Sequence, residues 1–311
     1  MCTSCGCRGQ GTTMTNLQTG VRAEIAAGPE HDGAAHSHGE HGHGHFHGEH
    51  QHAHDHHHGH EQGHAHGHDH SHAHAHDHSD HDQAHEDSHR RLDLEARILA
   101  KNDAIAAKCR AWLAGREILA LNLVSSPGAG KTTLLERAIA DLSGELPLFV
   151  IEGDQATSND GERIRAAGAP VVQVNTGTGC HLDAEMIARA LSELKPSVAS
   201  LVFIENVGNL VCPALFDLGE HAKAVIFSTT EGEDKPLKYP HMFSAAKLVI
   251  FNKIDLLPHL DFSMERAREN ILRVNPDVEI VEVSAKTGAG MRQLYDWIRA
   301  QRTAVKEQAL V

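Results

Sequence analysis

The sequence predicts an α/β fold, a mostly parallel sheet covered by helices on both faces and preceded by a disordered metal-binding tail. Three observations predict it. From about residue 90 onward, short continuous apolar runs alternate with helical stretches, the pattern of strands buried on both faces. A glycine-containing phosphate-loop signature joins the first run to the helix after it. Before residue 90 the composition is of another kind: 25 of the 29 histidines lie between His31 and His89, with 11 Asp or Glu and no Lys or Arg among them.

The chain of 311 residues divides accordingly into 1–30, 31–89 and 90–311. Most of the formal net charge of −14 sits in the first two segments, which together carry −11. No basic stripe exists to meet phosphates, which argues against nucleic acid as a partner. No apolar run approaches the roughly 18–20 residues that span a bilayer. The first residues, MCTSCGCRGQGTTMTN, lack the apolar stretch of a secretory signal. A cytoplasmic location without membrane attachment is therefore expected. There thiols stay reduced, so the six cysteines read as metal ligands or core residues rather than disulfides.

Residues 1–30 open with Cys2-x-x-Cys5-x-Cys7. Three thiolates within six residues can close on one ion, and a thiolate-rich four-coordinate site suits Zn2+, or Ni2+ in planar geometry. No second cysteine pair lies nearby to complete a zinc ribbon. Residues 31–89 hold one aromatic residue, Phe46, and no Val, Ile or Leu, so they are expected to be disordered without metal. At two to four imidazoles per ion the tract has room for on the order of 6–12 ions.

The folded domain is expected to begin near Arg90. Leu94, Ile98, Ile105 and Trp112 recur at helical spacing and predict a leading helix over 92–113. Apolar runs then predict strands at Ile118–Val124, Leu146–Ile151, Val171–Val174, Leu201–Ile204, Ala224–Phe227, Leu248–Phe251 and Val278–Val283. Helices are expected at Lys131–Leu142, Asp183–Leu194, Met264–Val274 and Gly290–Arg302.

The loop after the first strand reads Ser125-Ser-Pro-Gly-Ala-Gly-Lys131-Thr132 and meets G-x-x-x-x-G-K-[ST] except at its first position. Gly128 and Gly130 let the backbone through Ala129 and Thr133 turn its N–H groups toward phosphate oxygens. Lys131 reaches the β- and γ-phosphates, and the Thr132 hydroxyl binds Mg2+. After the Leu248–Phe251 strand comes Asn252-Lys253-Ile-Asp255. The Asp255 carboxylate can accept both the N1–H and the 2-amino protons of guanine, which adenine does not offer. Ser284-Ala285-Lys286 follows another strand, where a backbone N–H can meet guanine O6.

With these motifs in this order the chain resembles a P-loop GTPase. The resemblance implies GTP as substrate and a third motif at Glu205-Asn-Val-Gly208, with Glu where Asp is usual. Glu205 would then sit near Mg2+, and the Gly208 N–H near the γ-phosphate. By likeness to the signal-recognition and metallochaperone GTPases, Asp154 contacts Mg2+ or the attacking water, with Asp160 and Arg163 weaker candidates. No glutamine or arginine finger announces itself, so turnover should be slow unless a partner completes the site.

A third ligand set lies inside the domain. Cys180-His181 follows one strand and Cys212 another, both leaving the sheet at the end where open α/β folds bind ligands. Their side chains could converge on a metal. Cys109, among alanines on the leading helix, reads as core packing.

Together these features resemble the HypB family, nickel-insertion GTPases of [NiFe]-hydrogenase maturation. The resemblance implies a tight nickel site at Cys2, Cys5 and Cys7 and a weaker nickel or zinc site at Cys180, His181 and Cys212. It also implies nickel storage by the His tract and a GTP-dependent homodimer. The implied partners are a small zinc-bearing maturation protein and the hydrogenase large subunit. The urease accessory GTPases are the nearest alternative, but a Cys-Pro-His motif is expected there and this chain has Cys212-Pro213-Ala214. A metal buffer with a vestigial nucleotide site is a third reading, opposed by the intact Lys131, Thr132 and Asp255.

Overall fold

The computed structural model describes residues 12–25, 79–155 and 159–308. Cys2, Cys5, Cys7 and the His tract as far as residue 78 lie outside the described residues. The chain divides into two compact units, residues 28–89 and a larger one made of 1–27 and 90–311.

The larger unit is built on a nine-stranded sheet. Its strands are β1 (Thr13–Asn16), β2 (Arg22–Glu24), β3 (Leu119–Ser125), β4 (Leu148–Asp154), β5 (Val171–Asn175), β6 (Leu201–Glu205), β7 (Ala222–Ser228), β8 (Leu248–Asn252) and β9 (Glu279–Glu282). The spatial order is β2-β1-β5-β4-β6-β3-β7-β8-β9. The seven strands from β3 onward pair in parallel, while β1 runs antiparallel to both β2 and β5. The expected mostly parallel sheet is therefore present.

Helices cover both faces because alternate strand residues point to opposite sides. Leu119, Leu121 and Leu123 of β3 join one core with α2 (Lys131–Leu142) and α9 (Met291–Gln308). Ala120 of the same strand joins the opposite core with α4 (Ala184–Leu194). Helix α4 has apolar residues at 186, 187, 190, 191 and 194, and Asp183 caps its start by accepting from the Met186 N–H at 2.8 Å. A third core gathers Phe227, Phe243 and Phe251 beneath α7 (Pro240–Ser244) and α8 (Met264–Val274). Helices α3 (Asn159–Ala166), α5 (Cys212–Leu215) and α6 (Lys235–Lys238) are shorter.

The structure differs from the sequence expectation in several features, and α3, α5, α6 and α7 were not among the expected helices. The folded unit does not begin near Arg90, because β1 and β2 extend the sheet from residues 13–24. The edge of β5 is paired rather than exposed, and the hairpin buries Met14 and Ile25 against α4 and β5. The leading helix, α1 (Ser79–Ala114), starts well before residue 92 and takes in residues 79–89, which the composition predicts to be disordered. Residues 79–91 contain neither Gly nor Pro, so nothing there breaks a helix.

Because Met14 is 5% exposed in that core, Met14→Ala should cost about 2 kcal/mol of unfolding free energy. The check is a urea titration, with a lower midpoint and an unchanged slope expected. An unchanged midpoint would mean that the hairpin unfolds separately from the sheet.

Candidate functional site: a phosphate-loop cavity beside a thiol–imidazole cluster

The parallel strands bring their C-terminal ends to one side, where the chemistry-bearing loops gather. An open cavity of about 530 Å³ lies there, lined by Gly128, Gly130, Lys131, Thr132 and Thr133 of the phosphate loop. Asp154, Gln155, Asp160 and Arg163 line another side, and Glu205, Gly208 and Lys253 complete it.

The loop's backbone needs its glycines. Gly130 has φ +96°, a left-handed value, and a Cβ there would lie 2.6 Å from Asn252 Nδ2. Ser125, the departure from the usual first glycine, accepts a hydrogen bond from Lys131 Nζ at 2.9 Å. Burial lowers the Lys131 ammonium from its ordinary range. Arg163 donates to Thr133 Oγ1 at 3.2 Å and pairs with Glu136 and Asp160, tying α3 to α2.

On the base side, Asn252 organises three loops. Its Nδ2 donates to Ala129 O at 3.0 Å, and its Oδ1 accepts the Lys253 N–H at 2.8 Å and the Ala285 N–H at 3.2 Å. Lys253 has φ +64° and reaches Gly128 O at 2.7 Å. Asp255 accepts from the Ser284 hydroxyl. The Ala285 N–H is thus engaged by Asn252, and the Lys286 side chain is exposed. The sequence-predicted residues of all three motifs come together in one region.

Two buried carboxylates stand side by side, since Glu152 of β4 and Glu205 of β6 are in register. They are 2% and 3% exposed. Thr132 Oγ1 donates to Glu205 Oε1 at 2.8 Å. Glu205 Oε2 and Glu152 Oε2 have no hydrogen-bond partner among the described residues. A buried carboxylate oxygen without a protein partner, beside a threonine hydroxyl, is the hard-oxygen environment that Mg2+ takes. Thr132 and Glu205 fit that ion, and Asp154 lines the same cavity. Glu152 was not among the sequence candidates. Its only sequence signal was Glu-x-Asp at a strand end, where alternation sends both side chains to the same face.

Burial pushes the Glu205 carboxyl up to about 7. Burial, then the neighbouring Glu205, Asp154 and Asp160, push Glu152 to about 9.

The second cluster lies at the same end of the sheet, with Cys180 and His181 on the loop after β5 and Cys212 at the start of α5. Cys180, His181 and Cys212 offer ligand atoms that all lie within 4.8 Å of one another. The two sulfurs are 3.0 Å apart, and Cys180 Sγ is 3.7 Å from His181 Nδ1. Burial lowers the His181 imidazole pKa, which favours the neutral form that binds metal. Two thiols and an imidazole suit Zn2+ or Ni2+. Cys109, by contrast, is buried and sits 3.7 Å from Ala184 O.

This sheet, phosphate loop and base loop define a P-loop nucleotide-binding protein of the GTPase type. The family described as "CobW/HypB/UreG, nucleotide-binding domain" matches residues 119–282. A hydrogenase maturation factor HypB of Rhizobium leguminosarum bv. viciae is 56% identical over 219 residues, 70% of this chain and 73% of that protein. The crystal structure of HypB from Helicobacter pylori in complex with nickel superposes with a TM-score of 0.62 at 36% identity, covering 66% of this chain and 96% of that one. The HypB structure from Archaeoglobus fulgidus gives 0.61, also at 36% identity, over 65% and 99% of the two chains. The chain belongs to the HypB family of hydrogenase maturation factors. Among the described residues no helix is long and apolar enough to cross a membrane.

The raised Glu152 pKa has a consequence for stability. Folding lifts this carboxyl from 4.5 to about 9, so the folded state holds a proton that the unfolded state releases. Its contribution is fully present below about pH 4.5 and is lost as pH rises toward 9. Without nucleotide or Mg2+, Glu152→Gln should therefore gain stability relative to the parent as pH rises through that window. Thermal unfolding at several pH values checks this. A stability difference that stays constant with pH would mean that Glu152 does not titrate there.

Proposed function

We propose that this protein is a GTP-hydrolysing nickel metallochaperone that binds and stores nickel and delivers it during [NiFe]-hydrogenase maturation. The observation that carries the reading is the nearness of two unlike sites in chain and fold. Glu205 and Gly208 border the phosphate-loop cavity, and Cys212, a member of the thiol–imidazole cluster, lies four residues after Gly208. A protein that only bound nucleotide would not need the cluster. A passive metal buffer would not need Lys131, Thr132 and Asp255.

Within this reading, the backbone from Gly128 to Thr133 and the Lys131 ammonium hold the phosphates. Thr132 and Glu205 would hold Mg2+, which when bound would offset the negative charge that builds up on the departing GDP. Asp154 contacts Mg2+ or the attacking water, and the Gly208 N–H meets the γ-phosphate. Asn252, Lys253 and Asp255 with Ser284, Ala285 and Lys286 hold guanine. Cys2, Cys5 and Cys7 form the tight nickel site, Cys180, His181 and Cys212 a weaker site for nickel or zinc, and the His tract a store. GTP-dependent pairing of two copies completes a slow hydrolytic site. Docking with a small zinc-bearing maturation protein and the hydrogenase large subunit passes the metal on. Identity above 50% with a hydrogenase maturation factor favours hydrogenase over urease as the destination.

Base choice tests the nucleotide assignment. Asp255→Asn should weaken GTP binding and improve binding of xanthosine nucleotides, whose 2-oxo group accepts from an amide. Equal affinity of the parent for ATP and GTP would contradict it.

Deleting residues 31–78, which leaves α1 whole, separates storage from the rest. Most nickel bound at high loading should disappear while GTP hydrolysis persists. Imidazoles protonate near pH 6.5, so the lost capacity should be the part that falls most steeply between about pH 7 and 5.5. Equilibrium dialysis with nickel measures both. Unchanged capacity in the deletion would place the store elsewhere.

A further inference from the structure

Segment Glu205–Phe216 carries both a cavity wall and a cluster thiol, and hydrogen bonds to the sheet anchor it near both ends. At its start, Asn206 is 1% exposed. Its N–H donates to Leu123 O of β3 at 3.0 Å, and its Nδ2 donates to Asn122 Oδ1 at 3.3 Å. Its Oδ1 accepts the Leu182 N–H at 3.3 Å, holding the residue next to His181 to the sheet. At the far end, the buried ammonium of Lys223 on β7 donates to Pro213 O at 2.7 Å and Phe216 O at 3.3 Å. Glu220 stands 3.8 Å from that ammonium and accepts from Asn122 Nδ2 at 3.0 Å. The Phe216 ring lies against His181, with centroids 3.9 Å apart. His181 is thus held from two sides by groups rooted in central strands.

Between these anchors lie residues 207–212. Gly208 rests on the phosphate loop so closely that a Cβ would lie 3.2 Å from Pro127 Cα. Cys212 closes the span. Asn209, between them, makes two bonds of different kind. Its Oδ1 accepts the Val211 N–H at 2.9 Å within the segment, and its Nδ2 donates across to Cys180 O at 3.3 Å.

We propose that Asn209 is a positioning residue for the Cys180–His181–Cys212 cluster, tying the Cys180 backbone to the Gly208–Cys212 span so that both thiols move together relative to the fixed His181. Cys212 follows Gly208 through the chain, and Cys180 follows it through the Asn209 amide. A displacement of Gly208 then alters both sulfur–imidazole distances, and a ligand set held at a changed separation binds metal with a changed affinity. The Asn209 amide thus adds a backbone tie to the direct contact between the two sulfurs. This inference rests on the reading of that cluster as a metal site and of Gly208 as a γ-phosphate contact.

The test uses the full chain with Cys2, Cys5 and Cys7 replaced by Ser, and Co2+ as the probe at free concentrations set by a chelator. The readout is the thiolate-to-cobalt charge-transfer band, which imidazoles of the His tract do not produce. In this parent, half-saturation should differ about tenfold between GDP and a non-hydrolysable GTP analogue. Asn209→Asp keeps the acceptor for Val211 and loses the donor to Cys180, whereas Asn209→Ala loses both. Each should keep the band and its nucleotide affinity, while the difference between nucleotide states narrows to within about twofold. Full retention of the parent's difference in both variants overturns the proposal. A parent band that Cys212→Ala removes, but that is the same in both nucleotide states, overturns the coupling and the proposal with it. A parent with no such band overturns the metal-site reading itself.

Discussion

The side chain of Asn252 is the constraint on which the nucleotide half of this protein depends. One buried amide makes three hydrogen bonds, to the phosphate loop at Ala129, to its own loop at Lys253 and to the last loop at Ala285. These three segments come from strands β3, β8 and β9, and only a parallel sheet delivers their ends to the same side. The amide suits the task because it is donor and acceptor at once. An aspartate would lose the bond to Ala129, and a leucine would strand a carbonyl and two N–H groups in a buried place. The same contact fixes the residue at 130, where no side chain fits against Asn252 Nδ2.

The other half of the cavity is electrostatically costly. Glu152 and Glu205 are adjacent buried acids, and the nearby Lys131 only partly offsets them. Burial acts against the charged form of all three groups. Such an arrangement does not serve stability. In the proposed function, a bound cation and polyphosphate balance the acids and the lysine together.

Much of this was legible in the sequence because its signals are local. Continuous apolar runs gave the parallel strands, since a strand buried on both faces cannot alternate. The helices Lys131–Leu142 and Met264–Val274 fall at the expected bounds because their apolar spacing is strict. The hairpin of β1 and β2 was missed because strands of four and three residues carry too little pattern, and their partner β5 lies far along the chain. Helix α3 has only Gly161 and Ile164 buried, too few to show a period. Glu152 was overlooked because its significance depends on register with Glu205, which no local pattern encodes. That Cys180, His181 and Cys212 could converge follows from two strands ending on the same side of the sheet, but not that their ligand atoms lie within 4.8 Å. The asparagines and Lys223 that hold their loops left no motif at all.

In the proposed function, nucleotide and metal share one segment, Glu205 to Cys212, and therefore share free energy. Linkage makes that claim reciprocal: whatever factor a nucleotide imposes on metal affinity, the metal must impose on nucleotide preference. The most direct measurement is calorimetric titration of GDP and a non-hydrolysable GTP analogue into the Cys2/Cys5/Cys7→Ser protein, with and without saturating nickel. Nickel should change the ratio of the two nucleotide affinities by about fivefold or more, and Cys212→Ala should abolish the change. A ratio that nickel leaves untouched would contradict that claim.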